Sequence, residues 1–168
     1  MEEIEIKFEV SDFSGAREKL KEFNAKLIWS GREKSLYFDT SRGRLRSEGK
    51  VLRLRNQGGG GNSLTLKHNL GKSGRFKKRE ELQVQVDDFD LMKTILENLG
   101  FSVCLEYEKD REHWEVKSAA VELDVFSGKK FIEIEGAEEE IEKLAEVFGL
   151  DWKNSTTDSY LDILSKSV

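Results

Sequence analysis

Along much of the chain, hydrophobic and polar residues alternate with a period of two, which predicts strands. Glu3-Ile4-Glu5-Ile6-Lys7-Phe8-Glu9-Val10 alternates throughout. Val51–Arg55, Ser63–Lys67, Arg79–Val86, Val121–Val125 and Phe131–Glu135 follow the same rule. Ala25–Asp39 and Phe101–Lys117 read as longer, less regular strand regions, so about eight strands are expected. Helical spacing links Ala16, Leu20 and Phe23, with Ser14 placed as a cap. It also links Phe89, Met92, Leu96 and Leu99 before Gly100, and Ile141, Leu144, Ala145 and Phe148 before Gly149. A last short helix is expected within Thr157–Ser165. Gly58–Ser63 reads as a mobile hairpin turn, and His68–Lys78 as a polar, basic loop. No stretch reads as a linker, so residues 1–168 are expected to form one domain.

A weak internal echo supports that layout. Val10-Ser11-Asp12-Phe13 and Val86-Asp87-Asp88-Phe89 both sit at strand-to-helix junctions. In each half the order is strand, helix, then three strands, which suggests two similar halves completing one sheet.

Side chains alternate between the faces of a strand. The aliphatic face of each strand must pack on the helices, so the opposite face carries the charges. That face collects Glu3, Glu5 and Lys7; Arg53 and Arg55; Thr65 and Lys67; Arg79, Glu81 and Gln83; Lys109 and Arg111; Glu122 and Asp124; and Glu133 and Glu135. A plain antiparallel sheet with one solvated face is the simplest account of any single strand. It is a poorer account of all of them, because like charges recur at i, i+2, roughly 7 Å apart along one face. Such pairs repel unless opposite charges or ions face them. Acidic strands facing basic strands across a closed sheet would satisfy this. The expected fold is therefore α+β: an eight-stranded antiparallel closed barrel, or tunnel, with a charged interior and helices outside.

Composition narrows the partners. The chain has 33 acids and 28 bases, a net charge of −5, which disfavours a dedicated nucleic-acid binder. No apolar run is long enough to span a membrane as a helix, and the acidic start lacks the features of a signal peptide. The lone Cys104 has no partner for an internal disulfide. A cytoplasmic protein is expected. Clustered Arg and Lys suit phosphate oxygens, and clustered carboxylates suit a hard cation such as Mg²⁺ or Mn²⁺. Both in one cavity point to a metal–polyphosphate substrate.

These residues resemble the CYTH superfamily, the triphosphate tunnel metalloenzymes. Glu3-Ile4-Glu5-Ile6-Lys7 looks like its ExExK signature. Tyr37-Phe38-Asp39-Thr40, Leu52-Arg53-Leu54-Arg55, Leu64-Thr65-Leu66-Lys67 and Arg79-Glu80-Glu81 resemble its YFDT, LRLR, LTLK and REE segments, in order. Lys109 and Arg111, Asp124, Phe131–Glu135 and Ser159-Tyr160 continue the series. The resemblance implies an eight-stranded tunnel holding a triphosphate with divalent metal. It implies metal carboxylates at Glu3, Glu5, Glu81, Asp124, Glu133 and Glu135. It implies phosphate-gripping bases at Lys7, Arg53, Arg55, Lys67, Arg79, Lys109 and Arg111, with Glu3, Glu5 and Lys7 as the catalytic set. The implied activity is that of a class IV adenylyl cyclase, converting ATP to cyclic AMP and pyrophosphate. A triphosphatase acting on thiamine triphosphate or tripolyphosphate, and a non-catalytic triphosphate-binding module, are the alternatives. A homodimer is compatible with family habit. Gln83, Ser35 and Ser127-Gly128-Lys129-Lys130 depart from the family pattern.

Other motifs have plainer readings. Gly71-Lys72-Ser73 is not a P-loop, since GxxxxGKS needs glycine where Leu66 stands. The run Lys72, Arg75, Lys77, Lys78, Arg79 reads as a solvated loop at the tunnel mouth, with RNA binding as the sharper reading. His68 and His113 are too few and too separated for a zinc site, although His113 shares the phase of Lys109 and Arg111. Cys104 reads as a buried thiol. Trp29, Trp114 and Trp152 read as core or rim cover, with stacking on a base as the sharper reading for any of them.

Overall fold

The alternation becomes one antiparallel sheet. In the computed structural model the backbone is described for residues 2–73 and 76–165. Side chains are described over the same span except those of residues 2, 3, 69–73, 77, 78, 161 and 165. The strands are β1 (Glu2–Val10), β2 (Lys26–Thr40), β3 (Lys50–Asn56), β4 (Asn62–Ser73), β5 (Phe76–Val86), β6 (Phe101–Val116), β7 (Ala119–Phe126), β8 (Lys129–Glu135) and β9 (Ser155–Thr156). The helices are α1 (Ser14–Glu22), α2 (Arg44–Ser47), α3 (Phe89–Asn98), α4 (Glu138–Val147) and α5 (Tyr160–Ser165). None of the described helices is long and apolar enough to cross a membrane.

The strand order is β5-β4-β3-β2-β6-β7-β8-β1-β9, and β1 pairs in addition with β5 over Glu2–Glu5. The two halves mirror each other. β1, α1, β2, β3 and β4 repeat as β5, α3, β6, β7 and β8, while β2 pairs with β6 and β1 with β5.

Some expectations change. There are nine strands among the described residues, not eight, because Ser155–Thr156 lies beside Lys7 and Phe8 of β1. His68–Lys78 is not a loop: β4 runs to Ser73 and β5 starts at Phe76, with a register shift between Asn69 and Gly71 that lets the ladder continue. The side chains of Lys72, Arg75, Lys77 and Lys78 lie outside the described residues. Ser14 does not cap α1. It is the first helical residue, and its backbone N–H donates to Asp12 Oδ1 at 2.8 Å. Asp88 caps α3 by accepting from Leu91 N at 2.9 Å, and Gly100 closes it with φ at +91°. The short α2 was not foreseen. Its first turn is held by Asp39, whose carboxylate accepts from the N–H groups of Leu45 and Arg46.

Helices cover the outer face in two places. α1 and α4 pack Ala16, Leu20, Ile141, Leu144 and Ala145 onto Ile6, Phe8, Val121, Leu123, Ile132 and Ile134. α3 packs Leu96 onto Leu36, Phe38, Leu54 and Val86. Each fully buried aliphatic side chain contributes roughly 2 kcal/mol. Burial of these residues therefore fixes the strand phase and turns the alternate residues to the other face. Cys104 is exposed rather than buried, because Val103 before it packs under α3 and strand alternation turns the next residue to the opposite face. Trp114 joins the larger core, and Trp152 packs edge-on to Phe8 and Phe76.

Candidate functional site

The face turned away from α1, α3 and α4 is layered. At one end Tyr37, Tyr107, Phe126 and Phe131 meet Tyr160 of α5 in an aromatic cluster. The expectation of a charged interior therefore holds only beyond this plug. Tyr37 and Tyr107 share a hydroxyl–hydroxyl bond of 3.0 Å. The Tyr160 ring lies under Lys109 Nζ, 4.3 Å from its centroid, and its hydroxyl donates to Asp124 Oδ2.

Next comes a cavity of about 800 Å³. All seven expected bases line it: Lys7, Arg53, Arg55, Lys67, Arg79, Lys109 and Arg111. Of the expected carboxylates, Glu5, Glu81, Glu133 and Glu135 line it, joined by Glu122. The described lining thus carries seven bases against five acids. Asp124 does not line the cavity. It is fully buried, with Arg111 Nε donating to it at 2.6 Å and Lys109 Nζ at 3.1 Å. The Glu3 side chain lies outside the described residues; its backbone pairs with Arg79.

Most of these charges are matched across strands. Lys7 Nζ stands 2.7 Å from Glu133 and 3.6 Å from Glu5. Arg79 reaches Glu5 at 3.1 Å, and Lys67 reaches Glu81 at 2.9 Å. Burial opposes the charge on Glu133, but Lys7, Arg111 and Lys109 overcome it and hold its pKa well below 4.5. Burial likewise opposes the charge on Lys7, and Glu133 and Glu5 raise its pKa regardless. Lys7 is therefore a fixed positive charge, not a base.

Two arginines are less satisfied. Arg53 makes no ion pair among the described residues, and its buried Nε has no hydrogen-bond partner there. Arg55 Nε is likewise unpartnered. Burial and then the neighbouring Arg53 push the Arg55 guanidinium below its ordinary pKa. An arriving anion would relieve both effects.

One carboxylate was missed in the sequence. Glu33 is completely buried, 3.5 Å from Lys109 Nζ and 3.5 Å from Arg55 Nη1. Burial opposes its charge, yet Lys109, Arg111, Arg55 and Arg53 hold its pKa far below 4.5. It lies two residues from Ser35, one of the positions that depart from the family pattern. At the far end of the cavity stand Trp29, Gln57, Gly59, Gly60 and His113, the last 3.1 Å from Glu122.

For a metal, the donor chemistry is suitable. Glu5 lies directly opposite Glu135 in the β1–β8 register, and Glu122 opposite Glu133 in the β7–β8 register. Like charges so placed repel, and an all-oxygen carboxylate set is what a hard divalent cation prefers. Among the described residues, however, no three His, Cys, Asp or Glu side chains already converge as a metal cluster.

The CYTH domain family model matches residues 1–159. A Methanocaldococcus jannaschii protein named "putative adenylate cyclase" is 28% identical over 137 residues, which cover 80% of this chain and 77% of that one. A Vibrio parahaemolyticus structure named in the same way superposes with a TM-score of 0.81 at 25% identity, covering 97% of each chain. A Hippeastrum structure named "putative adenylyl cyclase" and described as revealing a dominant triphosphatase activity shares the fold. Its TM-score is 0.71 at 20% identity, with 98% of this chain and 96% of that one covered.

Proposed function

The chain belongs to the CYTH domain family, and from that membership we propose that it is an enzyme that binds a triphosphate in the basic cavity and converts ATP to cyclic AMP and pyrophosphate. The observation that carries this reading is Arg53: a guanidinium lining the cavity with no carboxylate within salt-bridge distance among the described residues and with its buried Nε unpartnered, its charge offset at longer range by Glu33 and Glu81. Neighbouring Arg55, Lys109 and Arg111 extend the anion site. We read the sheet as a tunnel, supported by the pairing of β1 with β8 on one side and with β5 on the other.

In this reading the seven bases neutralise the triphosphate and hold its chain in line for displacement. The 3′-hydroxyl oxygen of the ribose attacks the α-phosphorus and gives its proton to solvent, and the bond to the bridging oxygen of pyrophosphate breaks. Glu133 and Glu5 keep Lys7 charged and fixed at the phosphates. Asp124 orients Arg111 and Lys109 from behind. Glu5, Glu133, Glu135 and Glu3 are the residues we assign to a Mg²⁺ or Mn²⁺ ion; Glu81, held by Lys67, belongs to the outer part of that set. When bound, such an ion supplies charge neutralisation and makes the attacking oxygen easier to deprotonate. The same cradle would serve hydrolysis if water took the place of the ribose oxygen.

The test is product analysis after incubation with ATP, thiamine triphosphate or tripolyphosphate and Mg²⁺ or Mn²⁺. Cyclic AMP with pyrophosphate is the expected result. Phosphate release without cyclic AMP would replace cyclisation by triphosphatase chemistry. Tight binding with no product under either metal would leave a binding module and overturn the enzyme reading.

A further inference from the structure

The two ends of the cavity differ in chemistry. One end is closed by the Tyr37, Tyr107, Phe126, Phe131 and Tyr160 cluster. The other end is walled by Trp29, Gln57 and the Gly58–Gly60 turn. Successive residues of one face of β2 show how these ends relate to the charges. Glu33 pairs in register with Lys109, Gly31 with Arg111, and Trp29 with His113. Trp29 therefore stands about 13 Å along the strand from the Glu33–Lys109 contact. Gly31 lies between them, and a Cβ there would meet nothing within 4 Å. The wall is open between the indole and the bases.

Trp29 is not core filling. It is half-buried and lines the cavity, whereas Trp114 is buried in the core and the half-buried Trp152 packs against it. Gly60 lies against one side of the indole: a Cβ on Gly60 would come within 3.2 Å of Trp29 Cδ1 and Cδ2 and 3.1 Å of Gln57 Cβ. A side chain there would force the ring or Gln57 to move by a few tenths of an ångström, so the glycine-rich turn is a fitted brace behind the ring rather than a free hairpin tip. A braced, accessible indole is a stacking platform, and π-faces accept any planar ring. The Gln57 amide nearby can donate to or accept from the edge of a heterocycle.

We propose that Trp29, braced by Gly60, stacks on the planar ring of an organic triphosphate whose phosphates occupy the basic layer. This rests on the triphosphate reading above and narrows it: the substrate class is a ring-bearing triphosphate, with inorganic tripolyphosphate lacking the group that this end receives.

The experiment compares wild type, Trp29→Phe and Trp29→Ala for binding of ATP and of tripolyphosphate at fixed Mg²⁺, with indole fluorescence as a second readout. Trp29→Ala should weaken ATP about tenfold, leave tripolyphosphate unchanged, and abolish an ATP-induced quench that tripolyphosphate does not produce. Trp29→Phe, which keeps a flat ring, should retain most of the ATP affinity. Equal losses for both ligands in Trp29→Ala, or no loss for ATP, would overturn the stacking assignment while leaving triphosphate binding intact. Failure of wild type to bind either ligand would overturn the triphosphate reading, and the stacking assignment with it.

Discussion

Lys7 Nζ lies 2.7 Å from Glu133 Oε2, joining register partners on β1 and β8 through side chains that are 4% and 9% exposed. A buried ion pair of this kind is costly to break from one side, because the survivor is left charged in a poorly solvated place. Glu133→Gln should therefore lower the unfolding free energy by on the order of 3 kcal/mol. Replacing both residues, Lys7→Met with Glu133→Leu, should restore much of that loss. Urea unfolding midpoints of the two variants check this: a double variant no more stable than the single one would show that the pair contributes through more than its charges.

The same pair sets a pH dependence. Glu133 has a pKa below 4.5 in the folded chain, so its contribution is complete above that value and is lost as pH falls through the lower, folded one. Lys7 has a pKa above 10.5 in the folded chain, so its contribution is complete below 10.5 and is lost only as pH rises through the higher, folded one. The stability gap between wild type and the double variant should be flat between about pH 5 and pH 10 and should shift only outside that window. Unfolding midpoints measured across pH would show a slope near neutrality if either group titrated there.

Tyr160 holds Asp124 from α5 while its ring carries Lys109. Tyr160→Phe keeps the ring and removes only the hydroxyl bond to a buried carboxylate. It should cost roughly 2 kcal/mol of stability and reduce turnover by a lesser factor than Asp124→Asn, which also frees Arg111 and Lys109. Denaturation and steady-state rates on the two variants give the ranking.

Much of the site was readable because the charged face shows itself wherever its alternate is aliphatic. Glu5 and Lys7 flank Ile6, Arg53 and Arg55 flank Leu54, and Glu133 and Glu135 flank Ile134, so the phase of each strand is unambiguous. Glu33 escaped for the opposite reason. Its neighbours Arg32 and Lys34 are charged too, because the outer face of β2 there is open to solvent and pairs with Glu106, Glu108 and Asp110 of β6. With polar residues on both faces, periodicity carries no direction. Trp29 could not be told apart from Trp114 and Trp152, because a single indole has no pattern and the turn that braces it reads in the sequence only as glycine. The extent of β4 and β5 was hidden because the residues of His68–Lys78 are mostly polar and show no alternation in the sequence.

The most direct test of the central claim is the affinity for tripolyphosphate of wild type and Arg53→Gln, measured by titration calorimetry with and without Mg²⁺. Arg53 has no carboxylate within 4 Å among the described residues, but it is one of the cations that offset the buried charge of Glu33, so a modest loss of stability should accompany the loss of a charge-assisted contact to the anion. The expected result is weakening by about tenfold to a hundredfold at a temperature where the unfolding curve shows the variant still fully folded. Equal affinity in the two proteins would contradict the assignment of this cavity as the triphosphate site.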